Sequence, residues 1–406
     1  MFRSEANHLY FFDDTGSDVL PASAALYNLI KRQGYTDIIL DFSKTFRFHN
    51  SFMVPLITCI MSYRHENIDF DLFLPEDTKG NRLIRNTNWA HLICPEKFDS
   101  RTYHNRNHIS AIQYLSAEQH FRAVDQTIDI ILKTTHGLDR SRLIALEWSL
   151  NEITDNVLNH SESPVGGVLQ VVTLPKKSRV EFYVCDAGIG IPKSLRQGRP
   201  EINDDVRAVR AAINEGVTRN KSTNQGNGLY GTFNCCQVSG GEFDILTGTV
   251  LLRSKHRELK VSKNTIPFMG TFVRASINYQ FDKLLEKALV FRGHPYVPSF
   301  DYIERVFQTL DSDIQFVVRK ELESFGSREL GRLARIQIEN LMDKATTPIL
   351  FDFSDVHVIS SSFADEVFGK LFIALGPVAF SELCKFKNME PTVKELIDRA
   401  IIQRTV

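Results

Sequence analysis

The chain has 406 residues, of which 43% are hydrophobic and 24% charged, and its formal net charge is −1. These values are typical of a folded protein with two or three domains and exclude extensive disorder. A net charge so close to zero provides no overall field for nucleic acid or an anionic membrane, so neither partner is indicated.

Targeting and redox features of the sequence are consistent with a cytoplasmic protein. The N-terminal residues lack a charged region followed by an apolar core, so no secretory signal is predicted. The longest apolar stretch, residues 52–61, is far shorter than a membrane span. The six cysteines include no C-x-x-C pair, which favours reduced thiols over a disulfide framework.

A short pattern occurs near both ends of the chain. An amphipathic helical stretch precedes an apolar run that ends at Asp-Phe-Ser, seven residues separate this from Ser-Phe, and another apolar run follows. The segments are 22–31, 38–43 and 70–74 in the first copy, and 327–343, 349–354 and 378–380 in the second. Each copy predicts a small α/β unit with a partly parallel sheet, in which Ser43 and Ser354 are turn residues. Chance recurrence of a tripeptide is the alternative.

The middle of the chain has a different character. Long helical patterns at 117–134 and 138–160 are followed by strands and loops punctuated by glycine. A polar stretch at 95–108 and a proline-rich stretch at 292–298 mark the boundaries. Three domains are therefore predicted, at residues 1–98, 110–280 and 299–406.

The second of these helical patterns carries a polar stripe. Glu152, Asn156 and His160 recur every four residues and share one face, with Asp155 and Asn159 beside them. Asparagine is a poor mid-helix choice for solubility alone, although an ordinary solvated face is the alternative. A carboxylate and a carboxamide one turn apart can hold a hydrated Mg²⁺ and orient an attacking water.

Two strand ends carry further candidate residues. The apolar run 180–186 ends at Asp186, which Gly188 and Gly190 follow. Such an aspartate can accept the exocyclic amine of adenine, and the glycines let backbone pass close to a flat base. The alternative is an ordinary strand and turn. Thr271 follows Gly270 in a later alternating strand, where threonine is a common residue.

A glycine cluster precedes the helical stretch 233–238. Gly226, Gly228 and Gly231 lead into the start of this helix, an arrangement that binds anions through free backbone N–H groups. Their spacing also fits the dinucleotide-binding fingerprint. That interpretation requires an apolar strand before the first glycine, whereas residues 219–225 are wholly polar, so it fails.

The order and spacing of these motifs resemble the GHKL superfamily, which has the Bergerat fold and includes gyrase, the large heat-shock chaperones, histidine kinases and MutL. The resemblance covers about residues 117–279. The motifs that carry it are Glu152-x-x-x-Asn156-x-x-x-His160, Asp186-x-Gly188-x-Gly190, Gly226-x-Gly228-Leu229-x-Gly231 and Gly270-Thr271.

The resemblance implies ATP and Mg²⁺ as cofactors and gives each motif a role. Glu152 is the expected general base and Asn156 the Mg²⁺ ligand. Asp186, supported by Thr271, would bind the adenine amine. The remaining residues shape the base pocket or receive the phosphates: Gly188, Gly190, Gly226, Gly228, Leu229 and Gly231. Residues 193–223 would form a mobile lid. The closest branches are the histidine kinases and anti-sigma factors, but no phosphoacceptor histidine motif is present.

The C-terminal region resembles bacterial STAS-like domains, and the N-terminal copy resembles a divergent relative. In anti-sigma antagonists a GHKL kinase phosphorylates a serine at the strand-to-helix junction, which points to Ser361, Ser362 and, by the repeat, Ser51. This chain has Ser-Ser-Ser-Phe-Ala there instead of the antagonist pattern. Helix N-capping by these serines is therefore the favoured interpretation.

Together these features predict an α/β protein (an α+β sandwich) with a central Bergerat GHKL domain between two small STAS-like domains. Three functions stay open: an ATP-dependent switch that controls STAS-like domain interactions, a protein serine kinase, and a hydrolysing ATPase. A STAS-like or regulatory protein is the expected partner, and a homodimer is left open. The domain pairing suggests bacterial regulation or defence by analogy.

Overall fold

The structure of the chain is a computed structural model. The structure describes residues 2–101, 109–135, 138, 140–214, 217, 228–289, 314–322, 325–342 and 348–405. The described strands form three separate sheets, one in each of the three predicted segments, and helices lie between the strands along the chain. The predicted α/β class is confirmed. Within the described residues, no helix combines the length and apolarity that a membrane crossing requires.

The N-terminal unit has a four-stranded sheet in the order β1-β2-β3-β4, in which β2, β3 and β4 are parallel. Its strands are β1 (Phe2–Glu5), β2 (His8–Asp14), β3 (Asp37–Arg47) and β4 (Asp69–Phe73). Its helices are α1 (Leu20–Tyr27, continued by a π-helical turn to Arg32), α2 (Asn50–His65), α3 (Thr78–Asn86) and α4 (Trp89–Ile93).

One turn prediction in this unit was wrong. Strand β3 does not end at the Asp-Phe-Ser motif but continues to Arg47, so Ser43 is a strand residue. The register between β2 and β3 shifts at this place, because Tyr10 pairs with Asp41 whereas Phe12 pairs with Lys44. The irregularity lets the Asp41 side chain accept the Ser43 N–H at 2.8 Å without ending the strand.

The middle unit has a five-stranded antiparallel sheet in the order β5-β6-β7-β9-β8. Its strands are β5 (Ile112–Tyr114), β6 (Gly167–Leu174), β7 (Arg179–Asp186), β8 (Phe243–Lys255) and β9 (Glu258–Asn278). Its helices are α5 (Ala117–Thr134), α6 (Ile144–His160), α7 (Gly190–Gly198), α8 (Asp205–Ala212), α9 (Gly228–Val238) and α10 (Leu284–Ala288).

Both faces of this sheet are buried. On one face, Phe182 and Val184 of β7 share a core with α5, α6 and α9. On the other face, Tyr183 and Cys185 pack against the N-terminal unit, and Trp89 donates to the Gln170 side chain at 2.6 Å. The alternation follows from the two-residue period of a strand. The N-terminal unit is thus fixed to the back of the sheet, and the candidate site lies on the front.

The C-terminal unit has a three-stranded parallel sheet in the order β10-β11-β12. Its strands are β10 (Ile314–Val317), β11 (Ile349–Asp352) and β12 (Cys384–Lys387). Its helices are α11 (Val318–Glu321), α12 (Arg328–Met342), α13 (Ser361–Ala364), α14 (Lys370–Leu383) and α15 (Pro391–Thr405). The strand expected at 378–380 was wrong: these residues belong to α14, and the strand follows it as β12. Ser354 does lie in the turn after β11.

The segment predicted to be a mobile lid, residues 193–223, is not simply a loop, because residues 193–198 belong to α7 and residues 205–212 form α8. Asp204 caps α8, since its side chain accepts the Arg207 N–H at 3.1 Å. Asp205 attaches α8 to the sheet by accepting the Thr249 hydroxyl at 2.9 Å. Residues 215, 216 and 218–223 of the predicted lid lie outside the described residues.

Candidate functional site

A cavity of about 150 Å³ lies on the front of the middle sheet, between α6, the end of β7, the α7 segment, α9 and the C-terminal unit. Nine residues with a predicted role line it: Glu152, Asn156, Asp186, Gly190, Gly228, Leu229, Thr271, Ser361 and Ser362. Asp155, Asn159 and His160 of the same polar stripe on α6 line it too. Gly226 lies outside the described residues. Motifs up to 209 positions apart in the chain therefore meet at one site, as the Ser361 and Glu152 contact shows.

Two predicted glycines belong to the packing around the cavity and do not line it. A Cβ on Gly188 would lie 1.9 Å from the Ser161 carbonyl oxygen, because the turn after β7 passes directly over the end of α6. A Cβ on Gly231 would lie 2.3 Å from the Trp148 ring, so this glycine brings α9 close to α6. Both positions require glycine for close approach.

Asp186 is the buried carboxylate of the cavity. It is 4% exposed and lies at the end of β7, opposite Thr271 of β9. Its Oδ1 accepts the Gly188 N–H at 2.8 Å, and the Thr271 backbone also hydrogen-bonds it. Burial nevertheless raises the pKa of Asp186 to about 7. Thr247, which sequence reasoning missed, supports this corner by donating to the Gly270 carbonyl at 2.9 Å.

The walls near Asp186 are apolar and suit a flat ring. They are lined by Ile153, Val157, Val184, Ile191, Leu195 and Val273. An apolar cavity of about this size accommodates one aromatic ring such as benzene. A planar heterocycle with an amine would find both apolar walls and a hydrogen-bond acceptor here, whereas a larger ligand would need the cavity to widen.

The opposite end of the cavity joins the middle unit to the C-terminal unit. Glu152, 6% exposed on α6, accepts the Ser361 backbone N–H through Oε1 at 2.7 Å. Asp155, on the next turn of the same helix, accepts the Ser362 hydroxyl through Oδ2 at 2.9 Å. The Arg328 backbone also hydrogen-bonds Asp155. Two helix N-termini, those of α12 and α13, thus point at two carboxylates, an arrangement that the helix dipoles favour.

The serines at this junction have roles that differ from the expected one. The side chain that caps α13 is Ser360, whose Oγ accepts the Phe363 N–H at 3.0 Å. Ser361 and Ser362 are the first two helical residues and face the cavity, so capping by them was the wrong interpretation. The Ser361 hydroxyl is buried beside the Glu152 carboxylate and lowers its pKa against the larger effect of burial.

The carboxylates on α6 are costly to ionise in this state. Burial raises the pKa of Glu152 to about 7 and that of Asp155 to about 6, against the opposing effect of their hydrogen bonds to the C-terminal unit. In the unfolded chain both groups would lose their protons at lower pH. The folded state therefore retains protons that the unfolded state has released, and the free energy of unfolding falls as pH rises from about 4 to about 7.

We expect Glu152→Gln to stabilise the protein at pH 8 by roughly 2 kcal/mol, because the amide accepts the Ser361 N–H without a buried charge. At pH 5, where Glu152 is protonated in the folded state, the substitution should change little. Chemical denaturation at both pH values measures this difference. The exposed Glu118, substituted in the same way, is the control and should show no such dependence. If Glu152→Gln changed the free energy of unfolding equally at both pH values, the raised pKa assigned to Glu152 would be contradicted.

A Mg²⁺ ion fits this end of the cavity only together with another oxygen-rich group. Asn156 lines the cavity one turn after Glu152 and can supply an amide oxygen. In the part of the chain that the structure describes, no three His, Cys, Asp or Glu side chains cluster as a metal site. Mg²⁺ commonly binds one or two protein oxygens and substrate phosphates, which is compatible with Asn156 as a single ligand.

Ser51, the third junction serine, lies elsewhere. It lines a second cavity of about 490 Å³ between the N-terminal unit and the back of the middle sheet. Arg274 also lines this cavity. Its guanidinium forms ion pairs with Glu181 at 3.0 Å, Glu242 at 2.9 Å and Asp244 at 3.1 Å. Ser51 thus lies in a cavity with a central arginine, away from Glu152 and Asp155, so the internal repeat does not reproduce the α6 site at Ser51.

Comparison with known proteins bears on the C-terminal unit. Residues 331–394 match the family described as a STAS-like domain of unknown function (DUF4325), so the predicted C-terminal STAS-like domain is confirmed over these residues. The matched stretch includes Ser361 and Ser362. No curated protein matches the chain.

Proposed function

We propose that this chain is an ATP- and Mg²⁺-binding regulatory protein of the GHKL type, in which the nucleotide controls how the STAS-like domain docks. The observation that carries the proposal is the pairing of Glu152 with the Ser361 N–H and of Asp155 with the Ser362 hydroxyl. These carboxylates belong to the helix that bears Asn156, the expected Mg²⁺ ligand. The proposed nucleotide site and the docking surface therefore share residues.

In this proposal the adenine would lie between the apolar walls, and its exocyclic amine would donate a hydrogen bond to the Asp186 carboxylate. Asn156 would hold Mg²⁺, which supplies positive charge for the phosphates. The phosphates would extend toward Gly228 at the start of α9, where a Cβ would lie only 2.3 Å from Glu152 Oε2. The phosphate path would thus run beside the carboxylates that hold the STAS-like domain.

Size and charge both support coupling between nucleotide and docking. The cavity of about 150 Å³ suits a base, whereas pockets for larger ligands measure roughly 300–1,000 Å³. A triphosphate would need space at the Ser361 and Ser362 end. It would also compete with Glu152 and Asp155 for the same N–H and O–H donors. ATP binding would consequently move the STAS-like domain, and the α7–α8 segment, which also lines the cavity, would close as the lid.

A serine kinase is the second candidate, favoured by the Ser362 hydroxyl donating to Asp155. In the transfer step, Ser362 Oγ would bond to the γ-phosphorus while the bond from that phosphorus to the bridging β–γ oxygen breaks. Asp155 would accept the hydroxyl proton and ADP would leave. Ser361 is less well placed, since the carboxylate beside its hydroxyl is Glu152, which already accepts the Ser361 N–H.

A hydrolysing ATPase is the least favoured candidate. Its general base would be Glu152, and Oε1 of that side chain already accepts the Ser361 N–H. Hydrolysis would therefore require the STAS-like domain to leave Glu152 before a water molecule could be activated.

Incubation with [γ-³²P]ATP and Mg²⁺ distinguishes these functions when bound nucleotide, free phosphate and protein-bound label are followed together. The switch predicts nucleotide binding with little phosphate release and no label. Label that is lost in Ser362→Ala would establish the kinase, and phosphate release that is lost in Glu152→Gln would establish the ATPase. Asn156→Ala should lose Mg²⁺-dependent binding in every case. Absence of nucleotide binding by the wild-type protein would refute the proposal.

A further inference from the structure

Resting on the proposed function, we infer that Arg328 of the C-terminal unit is the residue that recognises the γ-phosphate, and so makes the site distinguish ATP from ADP. Arg328 begins α12 and lines the cavity across from α6. It lies just before the stretch that matches the STAS-like family. The middle unit would bind the base, and the C-terminal unit would supply a cation for the end of the phosphate chain.

Charge around the cavity leads to this assignment. Glu152, Asp155 and Asp186 all line it, and a triphosphate would add further negative charge. Of the described lining residues, Arg328 alone carries a permanent positive charge. Its charge already acts on Glu152 and Asp155, since it lowers the pKa of both carboxyl groups against the larger effect of burial. A phosphate at this end would therefore meet one protein cation.

The guanidinium also has bonding capacity to spare. The Arg328 side chain is only 14% exposed, and its Nε is buried without a hydrogen-bond partner. Both ion pairs of this side chain use Nη1, to Asp365 at 3.2 Å and to Glu366 at 3.1 Å. A buried, unpartnered donor is unfavourable, and guanidinium groups bind phosphate oxygens through two parallel N–H groups.

Arg328 can turn toward a phosphate without leaving its present partners unpaired. Asp365 also accepts the Arg404 guanidinium at 2.8 Å. Glu366 also pairs with Lys370 at 2.5 Å and with Arg335 at 3.4 Å. The two buried carboxylates would keep these cations, so the cost of redirecting Arg328 is small compared with breaking an isolated buried pair.

A contact with the γ-phosphate would also join the two units differently from the present contacts. The Arg328 backbone now hydrogen-bonds Asp155, and its side chain reaches Asp365 and Glu366 on the helix that follows Ser361. A phosphate held by this side chain would link α12 to the nucleotide directly. Because ADP lacks the γ-phosphate, that link would form only with ATP.

The test is equilibrium binding of ATP·Mg²⁺ and ADP·Mg²⁺ to the full chain and to two matched variants. Arg328→Gln should weaken ATP binding by about 10- to 100-fold and change ADP affinity less than about 2-fold. Arg335→Gln removes a cation from the same Glu366 network without touching the cavity, and it should leave both affinities unchanged. Arg328→Lys should restore part of the preference for ATP, because it keeps the charge but not the planar donor pair.

The outcomes separate this inference from the function on which it rests. If the wild-type protein binds neither nucleotide, both fail. If the wild-type protein binds ATP, two results would overturn the assignment of Arg328 and leave the proposed function standing. In the first, Arg328→Gln lowers the ATP and ADP affinities equally; in the second, it lowers neither affinity. Equal losses in Arg328→Gln and Arg335→Gln would indicate general damage to the C-terminal unit and would likewise overturn it. Thermal unfolding of each variant shows whether the fold is retained.

Discussion

Asp186→Asn is expected to weaken ATP binding by about 10- to 150-fold while the protein remains folded. The carboxylate accepts the Gly188 N–H and is hydrogen-bonded by the Thr271 backbone, and in our proposal it also accepts the adenine amine. An amide at this position presents an NH₂ group to donors and leaves at least one of them unpaired. Loss of a buried hydrogen bond to a charged group costs about 1.5–3 kcal/mol, which corresponds to an affinity change of about 10- to 150-fold.

Asp244→Asn is the matched control for this substitution. Asp244 is a half-buried aspartate on β8, a strand of the same sheet, but it faces the second cavity and pairs with Arg274. Asp244→Asn should keep the ATP affinity within a factor of about two of the wild-type value. Calorimetric titration with ATP·Mg²⁺ measures both variants. Unchanged affinity in Asp186→Asn would remove the base-binding role from this residue.

Ser362→Asp is expected to release the STAS-like domain from α6 in the absence of nucleotide. The Ser362 hydroxyl lies 2.9 Å from Asp155 Oδ2, so the new carboxylate would face two acidic side chains, Asp155 and Glu152, in a buried setting. Like charges at this distance cost several kcal/mol unless one group takes up a proton. Near neutral pH the STAS-like domain should therefore be mostly released from α6. At pH 5, where the carboxyl groups take up protons, the docked arrangement should be partly restored.

Small-angle X-ray scattering measures this release as a larger radius of gyration. Ser381→Asp, on the C-terminal side of α14 and away from the cavity, introduces the same charge into the same unit and should leave the radius unchanged. A compact Ser362→Asp protein at pH 8 would contradict the view that these contacts hold the domain. The same substitution imitates part of the charge of a phosphoserine, so release would also show what phosphorylation does to docking.

The local features of the fold were predictable where chain periodicity determines them. Helix α5 begins and ends at the residues that its apolar spacing indicates, and α6 presents Glu152, Asn156 and His160 to one cavity, as their four-residue spacing predicts. Asp186 lies at the end of β7, as the apolar run that ends at this residue predicts. The strand expected at 378–380 was wrong because an apolar run of three residues fits a buried helix as well as a strand.

The features that depend on tertiary contact were not predictable in the same way. Nothing near Arg328 in the sequence indicates that this residue faces Asp155, because the two are 173 positions apart and belong to different units. Ser361 and Ser362 were expected to cap a helix, whereas Ser360 is the cap and its neighbours turn toward α6. Spacing along one helix or strand identifies a face, and only the packing of the units shows which residues meet across it.

Hydrogen exchange of the backbone amides of Ser361 and Phe363, with and without ATP·Mg²⁺, tests the central claim most directly. The Ser361 amide donates to Glu152 across the two units, whereas the Phe363 amide donates to Ser360 within the C-terminal unit. If ATP controls docking, nucleotide should change the exchange rate of the Ser361 amide by about tenfold or more and leave that of Phe363 nearly constant. Bound ATP that leaves both rates unchanged would contradict a nucleotide-controlled STAS-like domain.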